Sequence, residues 1–211
     1  MKILIVGFSR EFIQLITELI KSGMDVVVVD GDSSRVEALR RELDIATFVG
    51  DLLDLDLYKE IGMQRADIVI ATHTNDLINM VVCSYAKHLG VPRIIAVVND
   101  DKIASVLKEL NLATEIVIKP SELSAILKER LYNIKKIDIA QNQSLVFLDS
   151  ILHMNLIDKS IEDLTKNEST VIFIIDKENK IIYPNKEYRI QRGDKIFILT
   201  SPSNIQHIIS L

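Results

Sequence analysis

The sequence is poor in cysteine, in basic charge and in long apolar runs. Its single cysteine, Cys83, excludes a disulfide within the chain and is typical of a reducing compartment. Basic residues number 25 against 30 acidic ones, and the net charge of -5 argues against a nucleic-acid-binding protein. No apolar run approaches the roughly 20 residues that span a bilayer, and the first predicted strand begins too early to leave space for a signal peptide. We therefore expect a cytoplasmic protein that reaches a membrane only through another protein.

The first part of the chain alternates short apolar runs with amphipathic segments. Runs rich in Val, Ile and Ala predict strands buried on both faces of a sheet, over 2–6, 25–30, 47–49, 68–72, 93–98 and 115–118. Helical patterns occupy 12–21, 34–43, 75–89 and 102–110, and a further helix follows Pro120. Candidate N-caps are Ser33 or Ser34 for the second of these helices and Ser121 for the last. This alternation predicts an α/β fold, a Rossmann-like doubly wound parallel sheet.

The alternation stops near residue 136, where a smaller α+β pattern begins. Predicted strands lie over 171–176, 180–183, 188–190 and 195–199, separated by polar turns, and short helices over 160–166 and 203–210. We therefore assign residues 1–135 to the Rossmann-like domain and 136–211 to a small α+β domain.

The turn after the first strand resembles a dinucleotide-binding loop that has lost most of its glycines. In the G-x-G-x-x-G fingerprint the glycines permit a tight turn, backbone approach to the pyrophosphate and close helix packing. Here those three positions carry Gly7, Ser9 and Phe12, while Arg10 lies in the first helical turn, where it could meet an anion. The competing interpretation is a plain strand–turn–helix corner without a ligand.

Acidic and hydroxyl side chains follow the other strands at the same predicted sheet edge. Asp30 ends the second strand at the position from which an acid bonds ribose hydroxyls, with Asp32 beside it. Thr72 ends the fourth strand, and Asp51 follows the third within an acidic stretch that also contains Asp54, Asp56 and Glu60. That stretch is a candidate calcium site. More often, however, such acids precede helices, where their negative charge interacts favourably with the positive end of the helix dipole.

Recognised catalytic constellations are missing from the sequence. Its four histidines lack metal-ligand spacing, and it contains neither a nucleophile-elbow motif nor a P-loop. A NAD-dependent dehydrogenase is therefore an alternative that rests on the βαβ frame and Asp30 alone. A second alternative is an oligomeric binding module without a nucleotide ligand.

Short motifs follow one another in a specific order along nearly the whole chain. In the first domain they are Gly7-x-Ser9-Arg10, Val29-Asp30-Gly31-Asp32, Phe48-Val49-Gly50-Asp51, Ala66-Asp67-Ile68-Val69-Ile70-Ala71-Thr72, Asn75-Asp76-x-x-Asn79, Ala86-Lys87, Ile95-Ala96-x-Val98 and Ile118-x-Pro120-Ser121-Glu122. In the second domain they are Ser160-Ile161-Glu162-Asp163-Leu164, Ile182-Tyr183-Pro184 and Gln191-Arg192-Gly193-Asp194. Together these motifs resemble those of the regulator-of-K⁺-conductance (RCK) family, the TrkA-type cytoplasmic gating subunits of Trk/Ktr potassium transport and of some potassium channels.

The resemblance implies a regulator rather than an enzyme. Family members form dimers and commonly rings beneath a membrane-embedded potassium transporter or channel, bind NAD(H), ADP, ATP or in some members calcium, and in certain members bind cyclic di-AMP at the C-terminal module. The helix after Pro120 resembles the one that contacts a partner subunit, with an apolar stripe of Leu123, Ile126, Leu127 and Leu131. The chain departs from the family pattern at Ser9, Phe12, Val97 and Leu112, where many members carry glycine or, at the third position, arginine.

Overall fold

The computed structural model describes residues 1–132, 134–140, 142–165 and 169–210. Contacts divide the chain into two compact units, Met1–Glu122 and Leu123–Leu211. The sequence-based domain boundary at residue 135 stays a prediction.

The first unit contains a six-stranded, fully parallel sheet in the order β3-β2-β1-β4-β5-β6. Its strands are β1 (Lys2–Val6), β2 (Asp25–Asp30), β3 (Ala46–Val49), β4 (Ile68–Ala71), β5 (Arg93–Val98) and β6 (Glu115–Ile118). Its helices are α1 (Ile13–Lys21), α2 (Ser33–Glu42), α3 (Leu55–Glu60), α4 (Asp76–His88) and α5 (Asp101–Glu109). The predicted Rossmann-like sheet is confirmed, and its strand order reverses between β1 and β4, where such folds bind ligands.

Two apolar cores cover the two faces of this sheet. Alternate residues of each central strand face opposite sides, so Leu4 and Val6 join one core while Ile3 and Ile5 join the other. These four side chains are at most 1% exposed. Strands buried in this way need apolar residues at consecutive positions, which is why the sequence pattern located them.

Helix starts differ from the predicted ones. The first helix begins with a 3₁₀ turn, Arg10–Phe12, ahead of α1, and Asp32 rather than Ser33 or Ser34 caps α2. The sequence pattern missed α3, whose six residues are too few for a clear helical period. A further helix, α6 (Lys119–Tyr132), follows β6 directly, so the prediction that Ser121 caps it is wrong.

The second unit contains a five-stranded antiparallel sheet in the order β10-β9-β11-β8-β7. Its elements are β7 (Lys135–Ala140), β8 (Gln143–Asp149), α7 (Ile161–Leu164), β9 (Thr170–Ile175), β10 (Ile181–Ile182), β11 (Lys195–Thr200) and α8 (Ile205–Ile209). The predicted strand over 188–190 is wrong, since that segment makes an isolated bridge from Arg189 to Ser160. The predicted end of the helix at Lys166 lies outside the described residues.

Candidate functional site

The predicted site residues gather along one edge of the parallel sheet, because the carboxyl ends of parallel strands share an edge. Gly7, Ser9 and Arg10 follow β1, Asp30 and Asp32 lie at the end of β2, and further predicted residues follow β3 and β4. The centre of this edge is the β1–β4 boundary, where the strand order reverses.

Gly7 makes the turn that only glycine accommodates here. Its φ is +83°, and a Cβ at this position would lie 2.5 Å from the backbone of His73. Its amide donates to the Val29 carbonyl at 2.8 Å, and its carbonyl accepts from the Thr72 hydroxyl. Thr72 is 5% exposed, so this predicted ligand-binding hydroxyl fastens the β4 loop to the β1 loop.

The two phenylalanines of the glycine-poor loop pack into the core beneath it. Phe8 is buried and Phe12 is partly buried, and both pack on the core formed around Ile3, Ile5 and Ile16. Phe12 therefore turns into the core, which resolves how the loop tolerates it at the third glycine position. Helical hydrogen bonding begins here in a 3₁₀ turn, with Ser9 extended just before it.

Arg10 points away from this core. Its side chain is 84% exposed and reaches Glu42 at 3.3 Å, an ion pair too exposed to fix its position strongly. A cationic side chain beside the first turn therefore stands free to reorient toward an anion at the sheet edge.

Asp30 is the most heavily hydrogen-bonded group of the site. Its Oδ2 accepts from the Phe8 amide at 2.5 Å, and its Oδ1 accepts from the Asp32 amide at 2.7 Å. The Arg35 guanidinium donates to the same Oδ1 through Nη2 at 2.7 Å and Nε at 3.2 Å. Asp30 is 0% exposed. The carboxylate predicted to meet ribose hydroxyls thus links the β1 loop to the start of α2.

The remaining acids of this edge act as helix caps and turn acceptors. Asp32 accepts from the backbone amides of Ser34 and Arg35, and the hydrogen bonds from Ser34 lower the pKa of Asp32. Asp51 accepts from the Leu53 amide at 2.9 Å.

The candidate calcium acids have similar roles. Asp54 caps α3 by accepting from the Asp56 amide, and the Asp56 carboxylate pairs with Lys59 at 2.8 Å. Among the residues that the structure describes, no group of three or more His, Cys, Asp or Glu side chains could hold a metal ion. The calcium interpretation of this stretch therefore finds no ligand set there.

Asn79 organises the loop after β4, and its role was missed from the sequence. Its side chain is 0% exposed. Its Oδ1 accepts from the His73 amide at 2.8 Å, while Nδ2 donates to the carbonyls of His73 at 2.7 Å and Val97 at 2.8 Å. The available signal was a lone amide on the apolar face of α4.

Asp76 and Arg35 were also missed as positioning residues. Asp76 accepts from the amides of Asn99 and Asp100, both at 2.8 Å, and so holds the loop after β5. Arg35 stands in the first turn of α2, five residues after its partner Asp30. Spacing alone does not reveal such pairs, since the two groups meet only when α2 packs onto the sheet.

Cys83 lies inside α4. It is fully buried, and burial raises the pKa of its thiol to about 12. The described residues contain no helix that is both long and apolar enough to cross a membrane.

Family models match both units. A TrkA-N domain model matches residues 3–120, and a TrkA-C domain model matches residues 153–211. The Trk system potassium uptake protein TrkA homolog of Methanothermobacter thermautotrophicus is 22% identical over 98% of this chain and 96% of its own length. The TrkA protein of Vibrio alginolyticus is 23% identical over 100% of this chain and 49% of its own length, so the chain spans about half of that relative.

Solved structures show the same fold. The GsuK channel is similar with a TM-score of 0.65 and 20% identity over 97% of this chain and 38% of the channel chain. A second structure, the GsuK channel bound to NAD, has a TM-score of 0.63 and 19% identity over 98% of this chain and 38% of its own. A TrkA-N domain of the inner membrane protein ybaL from Escherichia coli has a TM-score of 0.57 and 22% identity over 62% of this chain and 96% of its own.

Proposed function

The chain belongs to the TrkA family, and on that basis we propose that it is a cytoplasmic, ligand-responsive regulatory subunit of a potassium uptake system or potassium channel. The observation that carries this proposal is the succession of a TrkA-N and a TrkA-C domain along one chain. Relatives that match nearly the whole of this chain are named Trk system potassium uptake proteins. The chain acts as a regulator and not as an enzyme.

The ligand of the first domain is an adenine nucleotide or NAD(H), bound at the β1–β4 edge. Support comes from similar structures described as bound to NAD, to ADP and to AMP. The Gly7 and Phe8 amides already donate to Val29 and Asp30, so the phosphate contacts come from the helix start after the turn, where Arg10 adds a mobile cation for phosphate oxygens. Ser9 contributes a hydroxyl beside them. Ser9 and Arg10 hold the phosphates and Gly7 makes the turn before them, while Asp30, Asp32, Asp51 and Thr72 shape the loops around the ligand.

The chain works as a homo-oligomer, a dimer and a ring, beneath its membrane partner. Support comes from an apolar stripe on α6 that is open to solvent in the single chain: Leu123 is 58% exposed, Ile126 51%, Leu127 52% and Leu131 80%. An exposed stripe of this kind is typical of a surface that another subunit covers. Nucleotide binding then shifts the assembly between two conformations by differential affinity, which changes potassium flux.

The function is tested by potassium uptake in cells of the source organism with and without the gene for this chain. Loss of the gene should change uptake at limiting external potassium, and plasmid-borne wild-type chain should restore it. Equal uptake in all three strains would refute the regulatory role.

The ligand is tested separately, with purified chain and a panel of NAD⁺, NADH, ADP, ATP, cyclic di-AMP and calcium. A binder present at about 100 times its dissociation constant should stabilise the chain by about 2.7 kcal/mol, a readily measured rise in melting temperature. A hydride-transfer screen with the same cofactors checks the dehydrogenase alternative, for which we expect no turnover.

A further inference from the structure

Asp30 cannot meet a ribose in the arrangement that the structure describes. Its Oδ1 already accepts three hydrogen bonds, one from the Asp32 amide and two from the Arg35 guanidinium. Its Oδ2 accepts a fourth from the Phe8 amide. With 0% of the side chain exposed, a ribose hydroxyl has access to this carboxylate only if one of these donors leaves.

Arg35 is the donor that can leave. The other two donors are the backbone amides of Phe8 and Asp32, so their withdrawal would require the backbone itself to move. The Arg35 side chain is 38% exposed, lies on the first turn of α2 and has rotatable bonds that let its guanidinium swing into solvent. The guanidinium therefore donates to the Asp30 carboxylate the kind of hydrogen bonds that ribose hydroxyls would donate.

We propose that Arg35 is an internal competitor of the ribose and sets the nucleotide affinity of this site. The inference rests on the proposed nucleotide function of the β1–β4 edge. A ribose gains hydrogen bonds to Asp30 only at the expense of the Arg35–Asp30 pair, so the net gain from the ribose hydroxyls is small in the wild-type chain. The site is consequently a weaker nucleotide binder than one in which the acid is uncovered.

The experiment compares ADP and 2′,3′-dideoxy-ADP by calorimetry on the full chain. Variant Arg35→Met keeps the length and apolar stem of the side chain but removes both hydrogen bonds to Asp30. It should bind ADP about tenfold more tightly than wild type, because the ribose then gains hydrogen bonds to a charged group without breaking the Arg35–Asp30 pair. It should bind the dideoxy analogue no more tightly than wild type, since that ligand lacks the competing hydroxyls.

Control variants separate this effect from general changes in charge and stability. Arg41→Met removes an arginine from the same helix whose side chain is 78% exposed and pairs with Glu37 at 4.0 Å, and it should leave both affinities unchanged. Arg35→Lys keeps the positive charge but loses the two-pronged guanidinium contact, so it should give a smaller gain for ADP in the same direction. If thermal melts show that Arg35→Met does not fold, Arg35→Lys carries the comparison.

Addition of methylguanidinium gives a second readout. It should weaken ADP binding to Arg35→Met by refilling the position over Asp30, and it should have little effect on wild type. Equal or weaker ADP binding by Arg35→Met, or an equal gain for the dideoxy analogue, would overturn the competition while leaving the nucleotide site intact. Failure of wild type and every variant to bind ADP would overturn both this inference and the nucleotide part of the proposed function.

Discussion

Replacement of Asn79 by alanine should destabilise the chain through the loop that backs Gly7. The variant leaves three backbone groups without their partner: the partly buried amide and carbonyl of His73 and the buried carbonyl of Val97. A buried polar group that loses its hydrogen bond costs about 1–3 kcal/mol, and partial relaxation of the loop reduces the sum. We expect a loss of about 3 kcal/mol in the free energy of unfolding, or roughly 6–12 °C in melting temperature.

The assay for Asn79→Ala is urea denaturation followed by circular dichroism, with calorimetric melting alongside. Ser84→Ala on the same helix is the matched control, because Ser84 is exposed and its replacement should change stability by less than about 0.5 kcal/mol. A loss below about 1 kcal/mol in Asn79→Ala would show that these three hydrogen bonds do not hold the loop.

Three further predictions concern the turn at Gly7, the histidine of the second unit and the stripe on α6. Gly7→Ala should cost more than about 1 kcal/mol in urea denaturation, because φ is +83° and the new Cβ meets the His73 backbone; a neutral result would contradict this geometry. Burial lowers the pKa of His153, against opposing effects of the Tyr132 backbone and Asp149. The contribution of neutral His153 to stability is therefore fully present above the unfolded pKa of about 6.5, and it is lost as the pH falls through the lower pKa of the folded state. Urea melts between about pH 5 and pH 7.5 should show this loss in wild type and a smaller one in His153→Gln, and identical profiles would refute it. Leu127→Glu should shift the oligomer toward monomer in light scattering. Lys128→Glu, at the next position, is the charge control. An unchanged mass for Leu127→Glu would show that α6 does not form the subunit interface.

The parallel sheet could be predicted from the sequence because its strands are buried on both faces. A run such as Val26–Val29 is compatible with few structures other than a buried strand, and the helices between the runs have a clear apolar period. In contrast, β7 is an edge strand with charged and exposed residues, and its sequence gives little apolar signal. The segment 188–190 was wrongly predicted as a strand, because Ile190 is buried by packing in a connecting segment and not by pairing in a strand.

Site positions were easier to predict than the partners of their side chains. Strand ends bring Gly7 and Asp30 to one edge of any such sheet, so their location follows from the alternation of strands and helices. Whether Asp30 faces solvent depends on Arg35, and whether Thr72 offers its hydroxyl to a ligand depends on the Gly7 carbonyl. These contacts arise from tertiary packing, on which the spacing of residues along the chain carries little information.

The regulatory role is tested most directly by uptake of rubidium, as a potassium substitute, into membrane vesicles from cells that lack this chain. Purified chain is supplied at the cytoplasmic face with NADH, with ADP or without nucleotide, and a chain carrying Gly7→Ala serves as a comparison. We predict that wild-type chain changes the uptake rate and that the size of the change depends on the nucleotide. Uptake that is the same with and without the chain, under every nucleotide condition, would contradict the proposal that it regulates potassium transport.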